Sequence, residues 1–200
     1  MHYSQKASFP LTGEPLALDL INTRPMTPAG IVDLLATPEN LGAWLSVQRH
    51  RLPHDLASSP EMIDDAALAE VHRVREHAAM AIDHARRGRE TPATVLAALN
   101  EALKTAPAYR ELLPGGVPTR IVEHRMGSLP DRLAAWLAGA VADLISDPAG
   151  IRIRKCEAHD CVMLFLPASP RRRWCSASGC GNRMRVARHY HRRKGEREHP

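Results

Sequence analysis

The four cysteines of this 200-residue sequence lie close together near its end. They follow the pattern C-x4-C-x13-C-x4-C, at Cys156, Cys161, Cys175 and Cys180. Zinc binds four soft ligands tetrahedrally, and two close pairs of cysteines joined by a loop supply such a set. Four thiolates fill the coordination shell, so the pattern predicts one structural zinc ion rather than a catalytic one. Four unconnected core cysteines are the alternative, but the segment has too few large apolar residues to fold unaided.

The elements around these cysteines must hold them in place. Strand-like segments at 151–154 and 162–166 flank the first pair, and a turn at 167–170 leads to the second pair. A helix is predicted from Gly181 to about Lys194. A strand pair followed by ligand turns and a helix is a treble-clef-like zinc finger. His159 is the nearest substitute ligand, and we expect it to be exposed.

Charge is distributed unevenly along the chain. The whole sequence has 27 basic and 22 acidic residues, a net charge of +5. Residues 151–200 hold 13 of the basic and four of the acidic residues, a net charge of +9, which leaves −4 for residues 1–150. A basic segment attached to a neutral-to-acidic body is typical of a module that binds a polyanion.

The predicted helix near the end of the chain has a basic face. Arg185, Arg188 and Arg192 share that face, whereas Val186 and Tyr190 are predicted to pack on the zinc core. Such a helix can lie in the major groove of duplex DNA. A solvated helix that only aids solubility is the alternative, and the scarcity of acidic residues in this run argues against it. The candidate nucleic-acid-binding residues are Arg171, Arg172, Arg173, Arg183, Arg185, Arg188, Arg192, Arg193 and Lys194.

Composition narrows the class of protein. Hydrophobic residues make up 44% and charged residues 24% of the sequence, the balance of a soluble globular protein. The longest apolar run is too short to span a bilayer, and the first residues lack a secretory signal, so we expect a cytoplasmic protein that does not bind membranes. No standard enzyme motif occurs, so we expect no enzymatic activity.

Residues 1–148 are predicted to form a helix-dominated α+β domain with a small sheet, and 149–200 the zinc finger. Segment 14–24 alternates apolar residues and predicts a strand. Four helices are predicted: one that begins at Thr37-Pro38, one over 61–87, one after Pro92 and one that begins at the capping residue Ser128. The inward face of the helix after Pro92 is predicted to consist of Val95, Leu96, Leu99 and Leu103. Residues 108–113 and 119–124 are predicted to form a hairpin.

Four polar residues of the N-terminal domain could line a ligand pocket. Asp19, Asn22 and Thr23 end the predicted strand, and Arg75 interrupts the apolar stripe of a helix. A sensor domain needs such a polar pocket. The alternative, which we favour, is that these side chains only satisfy backbone groups at a turn.

The stretch WCSASGCGNRMRVARHYHRR at 174–193 resembles the CGNR zinc finger, named for Cys180-Gly181-Asn182-Arg183. Phe165, Ser169 and Trp174 also match. The stretches LALDLINT (16–23) and DLLATPENLGAWL (33–45), together with Arg75-Glu76 and Asn100, are similar to the ABATE domain that usually precedes this finger. The chain differs from the family's pattern at Pro167, where an acidic residue is common, and at Arg185, where Lys is common.

This resemblance implies a stress-related transcription regulator that binds DNA through the finger. An N-terminal domain that senses a small-molecule effector or oligomerises would complete it. A protein-interaction adaptor whose zinc module binds an acidic partner, without nucleic-acid binding, is the alternative. An enzyme that uses the N-terminal pocket is the least favoured hypothesis.

Overall fold

A computed structural model of the chain describes residues 9, 13–57 and 62–197, with side chains described as far as residue 190. The fold is α+β and dominated by helices. The helices are α1 (Leu16–Ile21), α2 (Pro38–Val47), α3 (His54–Ala57), α4 (Asp65–Ala85), α5 (Ala93–Thr105), α6 (Leu129–Ser146) and α7 (Asn182–Arg197). The strands are β1 (Met26–Thr27), β2 (Gly30–Ile31), β3 (Ala108–Leu113), β4 (Arg120–Arg125), β5 (Arg154–Lys155) and β6 (Leu164–Phe165), paired as three antiparallel two-stranded sheets.

Capping residues begin the main helices where the sequence predicts them. The Thr37 hydroxyl accepts from the N–H of Asn40 at 3.3 Å, with Pro38 opening α2. The Ser128 hydroxyl accepts from the N–H of Asp131 at 3.4 Å and begins α6. These caps satisfy donors that have no partner inside the helix, so both predicted starts are confirmed.

The main core lies where α4 packs against α6, with α1, α2 and α5 around them. Val71 and Ile82 of α4 and Leu133 and Leu137 of α6 are all buried in this core. The predicted inward face of α5 is correct for Val95 and Leu99 but wrong for Leu96, which is exposed. Val95 and Leu99 are one turn apart on the same side of the helix, and Leu96 is turned away from the contact they make.

The predicted strand at 14–24 is wrong, because Leu16–Ile21 is a short helix. Pro15 precedes it, and Ala17, Leu18, Asp19 and Leu20 are all buried. A short helix that is covered on every side needs apolar residues at consecutive positions, and over six residues this pattern resembles that of a buried strand. The predicted hairpin is confirmed as β3 and β4, paired from Ala108↔Arg125 to Leu113↔Arg120.

The region around β5 and β6 packs against the helical domain. A 3₁₀ turn at Pro148–Arg152 follows α6, β5 pairs with β6, and a π-helical turn at Ala177–Gly181 leads into α7, which confirms the predicted helix. Ile153 belongs to the main core, and Leu164 and Leu166 pack on it. The division into domains at 148 and 149, like the treble-clef-like assignment, stays a prediction.

Candidate metal centre and basic surface

The four cysteines converge in space. Cys156 follows β5, Cys161 precedes β6, and Cys180 lies in the π-helical turn before α7. The four sulfur atoms all lie within 4.8 Å of one another, with Cys161 and Cys175 Sγ 3.9 Å apart and Cys175 and Cys180 Sγ 3.6 Å apart. Sulfurs about 2.3 Å from a tetrahedral zinc ion are separated by about 3.8 Å. The cluster therefore has the dimensions of a four-cysteine zinc site.

Backbone hydrogen bonds shape the two ligand turns. The N–H of Cys161 donates to the carbonyl of Ala158 at 3.0 Å, and the N–H of Cys156 donates to the carbonyl of Met163 at 2.9 Å. In the second pair the N–H of Gly181 donates to the carbonyl of Ser176 at 2.9 Å. A Cβ at Gly181 would lie 3.2 Å from that carbonyl oxygen, so this turn closes most easily with glycine.

The pKa values of the clustered thiols indicate that a bound cation is needed to hold all four as thiolates. A hydrogen bond with Cys175 lowers the pKa of the Cys161 thiol to about 5, and the same bond together with burial raises the pKa of Cys175. Burial raises the pKa of Cys180 to about 11. Crowded, partly buried thiols cannot all ionise alone, whereas a bound divalent cation holds them as thiolates.

Two hydrogen-bond donors contact the sulfur atoms. The N–H of Cys175 donates to Cys156 Sγ at 3.4 Å, and the Arg183 guanidinium donates to Cys180 Sγ at 3.5 Å. The four cysteines are therefore a structural zinc site. Because all four positions around the metal are taken by sulfur, the ion would organise the fold and would have no open position for a substrate.

Arg172 and Glu14 connect the zinc site to the N-terminal domain. The Arg172 guanidinium donates to Glu14 Oε1 at 2.6 Å and to the carbonyl of Cys175 at 2.6 Å, and it lies 4.4 Å over the ring of Phe165. The other oxygen of Glu14 accepts from the N–H of Leu166 at 2.9 Å. Arg172 therefore has partners inside the molecule, and its assignment as a nucleic-acid-binding residue stays a prediction.

Asn22 makes a second connection between the two parts of the chain. Its side-chain amide donates to the carbonyl of Leu164 at 2.8 Å and accepts from the N–H of Leu164 at 2.9 Å. The side chain thus pairs with β6 as a neighbouring strand would. Together with Glu14, it holds the β5–β6 pair of the finger against the region around α1.

The residues predicted to line a ligand pocket have separate internal partners. Asp19 accepts from Gln48 at 3.2 Å and Arg51 at 3.1 Å, and burial raises its pKa. The Arg75 guanidinium, 1% exposed, donates to Thr23 at 2.9 Å and to Asp33 at 2.7 and 2.5 Å. With Asn22 bound to Leu164, these four side chains serve three different contacts inside the fold. These contacts favour the alternative that the four side chains serve the fold, and a ligand pocket formed by them stays a prediction.

Several exposed arginines surround the zinc site. Arg171, Arg183, Arg185 and Arg188 are exposed, and none of them forms an ion pair with another described residue. Arg173 is exposed but pairs with Glu157 at 2.5 Å. The side chains of Arg192, Arg193 and Lys194 lie outside the described residues. His159 is exposed, as expected, and bonds to Asp160 at 2.8 Å.

Helix α7 is rotated relative to the prediction. Met184 packs on the zinc-site core beside Trp174, and the Arg188 guanidinium lies 5.5 Å over the Trp174 ring. Val186 and Tyr190, predicted to pack on that core, are instead exposed. The cation–π contact of Arg188 with Trp174 and the packing of Met184 fix this side of the helix toward the zinc site, so Val186 on the opposite side is exposed.

Sequence reasoning missed Glu14, Asp33 and Gln48 as binding partners within the fold. Asp33 and Gln48 had no signal of their own, because their partners Arg75 and Asp19 lie far away in the chain. Glu14 precedes Pro15 in a segment predicted as a strand, and its burial beside Arg172 was not visible in any periodicity.

Within the described ranges, no helix has both the length and the apolar character needed to cross a membrane.

Two family models match the chain. The ABATE model, described as "Putative stress-induced transcription regulator", matches residues 14–148. The model of the CGNR zinc finger matches residues 152–193, which include the four converging cysteines. A search of curated proteins finds no match.

Proposed function

The chain belongs to the ABATE family, and residues 152–193 match the CGNR zinc finger; from this premise we propose that the protein is a transcription regulator whose finger binds duplex DNA. The N-terminal domain would then sense an effector or join copies of the chain. Because the finger is built around the four-cysteine site, its binding to DNA would depend on zinc.

The observation that carries this proposal is the unbalanced positive charge around the zinc site. Residues 151–200 have a net charge of +9, and four thiolates with one zinc ion reduce it by only two. The finger's described carboxylates Glu157 and Asp160 are already paired, with Arg173 and His159. The exposed arginines that form no ion pair with a described residue would neutralise phosphates, which releases counterions and favours binding.

The shape of the finger suits a groove. Helix α7 has 16 residues, so it is about 24 Å long, and an α-helix about 10–12 Å wide fits the major groove of B-DNA. Arg171 lies in the turn that precedes the second cysteine pair, outside α7. It would hold the phosphate backbone while α7 lies in the groove.

A small-molecule effector would have a candidate place in the N-terminal domain. A cavity of about 200 Å³ lies between α2, α3 and α6, lined by apolar residues that include Leu45, Leu56 and Leu133. Ser46 and Arg49 add polar groups to the lining. A cavity that combines leucine side chains with a single cation suits a small molecule that has an apolar part and a carboxylate.

A protein-interaction adaptor is the second candidate, and the β3–β4 hairpin favours it. Tyr109, Leu112, Val117 and Ile121 on this hairpin are all exposed. Several exposed apolar side chains on one element often mark a contact with another protein. In this alternative the zinc module and its exposed arginines would bind an acidic protein partner, and the zinc-loaded chain would have no affinity for nucleic acid.

The salt dependence of DNA binding tests the proposal. Fluorescence anisotropy would measure the affinity of the zinc-loaded full chain for a random-sequence duplex between 50 and 200 mM salt, where log Kobs should fall linearly. Arg171→Gln should weaken binding to all sequences and lower the salt slope by about one. Arg89→Gln, an exposed arginine of the N-terminal domain, is the matched control and should leave the slope unchanged.

A chain that shows no salt-sensitive affinity for duplex DNA at low ionic strength would contradict the proposal and favour the adaptor. An equal effect of the two arginine substitutions would leave the finger without a special role in binding.

A further inference from the structure

The outward face of α7 combines an exposed apolar side chain with positive charge. Val186 is 61% exposed, and Arg183 and Arg185, its neighbours on the helix, are also exposed. Asn182 and His189, which a turn of 100° per residue brings to the same side as Val186, are exposed as well. The opposite side of the helix is the one that Met184 packs against the zinc-site core.

Local structure does not explain a valine at this position. A β-branched side chain loses rotamer freedom in a helix, so valine is a weaker helix former than the alanine or arginine nearby. Val186 is also absent from the clusters that form the two cores. Its methyl groups are therefore available to a partner that also accepts hydrogen bonds from Arg183 and Arg185.

The chemistry of this face points to DNA rather than to another polyanion. The major groove of DNA presents one apolar group, the C5 methyl of thymine, beside the acceptors of guanine that arginine binds. The major groove of duplex RNA is too deep and narrow for a helix. An anionic membrane surface requires a broad apolar helix face. Here Val186 and the exposed Tyr190 share the outward side of α7 with the polar residues Asn182, Arg183 and His189, so the apolar area is narrow.

We propose that Val186 contacts the C5 methyl of a thymine in the DNA site and so determines specificity at that base pair. This inference rests on the proposed function, because it places α7 in the major groove. Arg183 and Arg185 lie on either side of Val186 in the helix and would contact the bases or phosphates that flank this thymine.

Replacing thymine by uracil tests the contact directly, because it removes the methyl group and leaves the hydrogen-bonding edge unchanged. A preferred site would first be selected from a random duplex pool with the zinc-loaded full chain. Each thymine would then be replaced in turn and the affinity measured by anisotropy. At one position uracil should weaken binding by about fourfold, the loss expected for one buried methyl group.

Protein variants complete the double-mutant cycle. Val186→Ala should bind the thymine site about fourfold more weakly and should no longer distinguish thymine from uracil. Val186→Ile should retain the discrimination. Val47→Ala, the same substitution at a 44% exposed valine on α2, is the matched control and should behave as the unaltered chain. Zinc content and circular dichroism would verify that each variant is folded.

The outcomes separate this inference from the proposed function. Two results would overturn the contact and leave the proposed function standing, provided that DNA binding is salt-sensitive. In the first, replacing any thymine by uracil leaves the affinity unchanged. In the second, uracil lowers the affinity of the unaltered chain and of Val186→Ala by the same factor. A chain that binds anionic vesicles or protein but no duplex DNA would overturn both.

Discussion

Glu14→Ala should destabilise the whole chain, although Glu14 lies far in sequence from every zinc ligand. Glu14 is 7% exposed, and the alanine would leave the guanidinium of Arg172 and the N–H of Leu166 without these acceptors. Removing one partner of a buried charge pair costs about 3–5 kcal/mol. Because the Arg172 side chain is partly exposed and can recover some hydration, we expect the lower end, about 3 kcal/mol.

Urea unfolding of the zinc-loaded chain, followed by far-UV circular dichroism, would measure this loss in the free energy of unfolding. Glu14→Gln keeps the shape but removes the charge, so its effect should be smaller, about 1–2 kcal/mol. Glu101→Ala is the control, because Glu101 is 71% exposed and its pair with Lys104 is a surface contact worth less than about 1 kcal/mol. Equal effects of Glu14→Ala and Glu101→Ala would refute the reasoning that Glu14 holds the finger on the domain.

Three further predictions concern the metal, the buried ion pair and the second connection. Cys175→Ser should abolish stoichiometric zinc binding, measured by mass spectrometry under native conditions, because three thiolates leave the shell incomplete; retained zinc would argue against this ligand set. Burial raises the pKa of Asp33, but hydrogen bonds from Arg75 outweigh it and hold that pKa below its usual value of 3.8, so this pair stabilises the fold above about pH 4 and less as the pH falls. Asp33→Asn should therefore lower the free energy of unfolding by about 3–5 kcal/mol at pH 7, and the gap to the unaltered chain should narrow below pH 4; a gap that stays constant with pH would contradict this. Asn22→Ala should speed hydrogen exchange at the N–H of Leu164, which loses its acceptor, and unchanged exchange there would show that the contact does not protect β6.

The zinc site and most of the helices could be predicted from local sequence. Cys156 and Cys161, like Cys175 and Cys180, are close enough in the chain that each turn brings its own pair together. Thr37 and Ser128 cap helices through hydrogen bonds to residues three positions later. Each of these features depends on neighbours within one or two turns of chain, so spacing and residue type are sufficient to indicate it.

The errors arose where tertiary packing decides the outcome. The apolar residues of α1 suit a buried helix and a buried strand equally, and the surrounding helices select the helix. The rotation of α7 follows from the packing of Met184 on the zinc-site core and of Arg188 over the Trp174 ring, and so Val186 faces solvent.

The connection between the finger and the N-terminal domain was decided by the tertiary structure alone. Glu14 and Arg172 are 158 positions apart, and Asn22 and Leu164 are 142 positions apart. No periodicity or motif links residues at such distances. Sequence by itself determined that this chain has a zinc-binding, basic finger after a helical domain, because those properties reside in local spacing and charge. Which arginines serve the fold and which remain exposed depends on the partners that distant segments bring to them, as Arg172 and Arg171 illustrate.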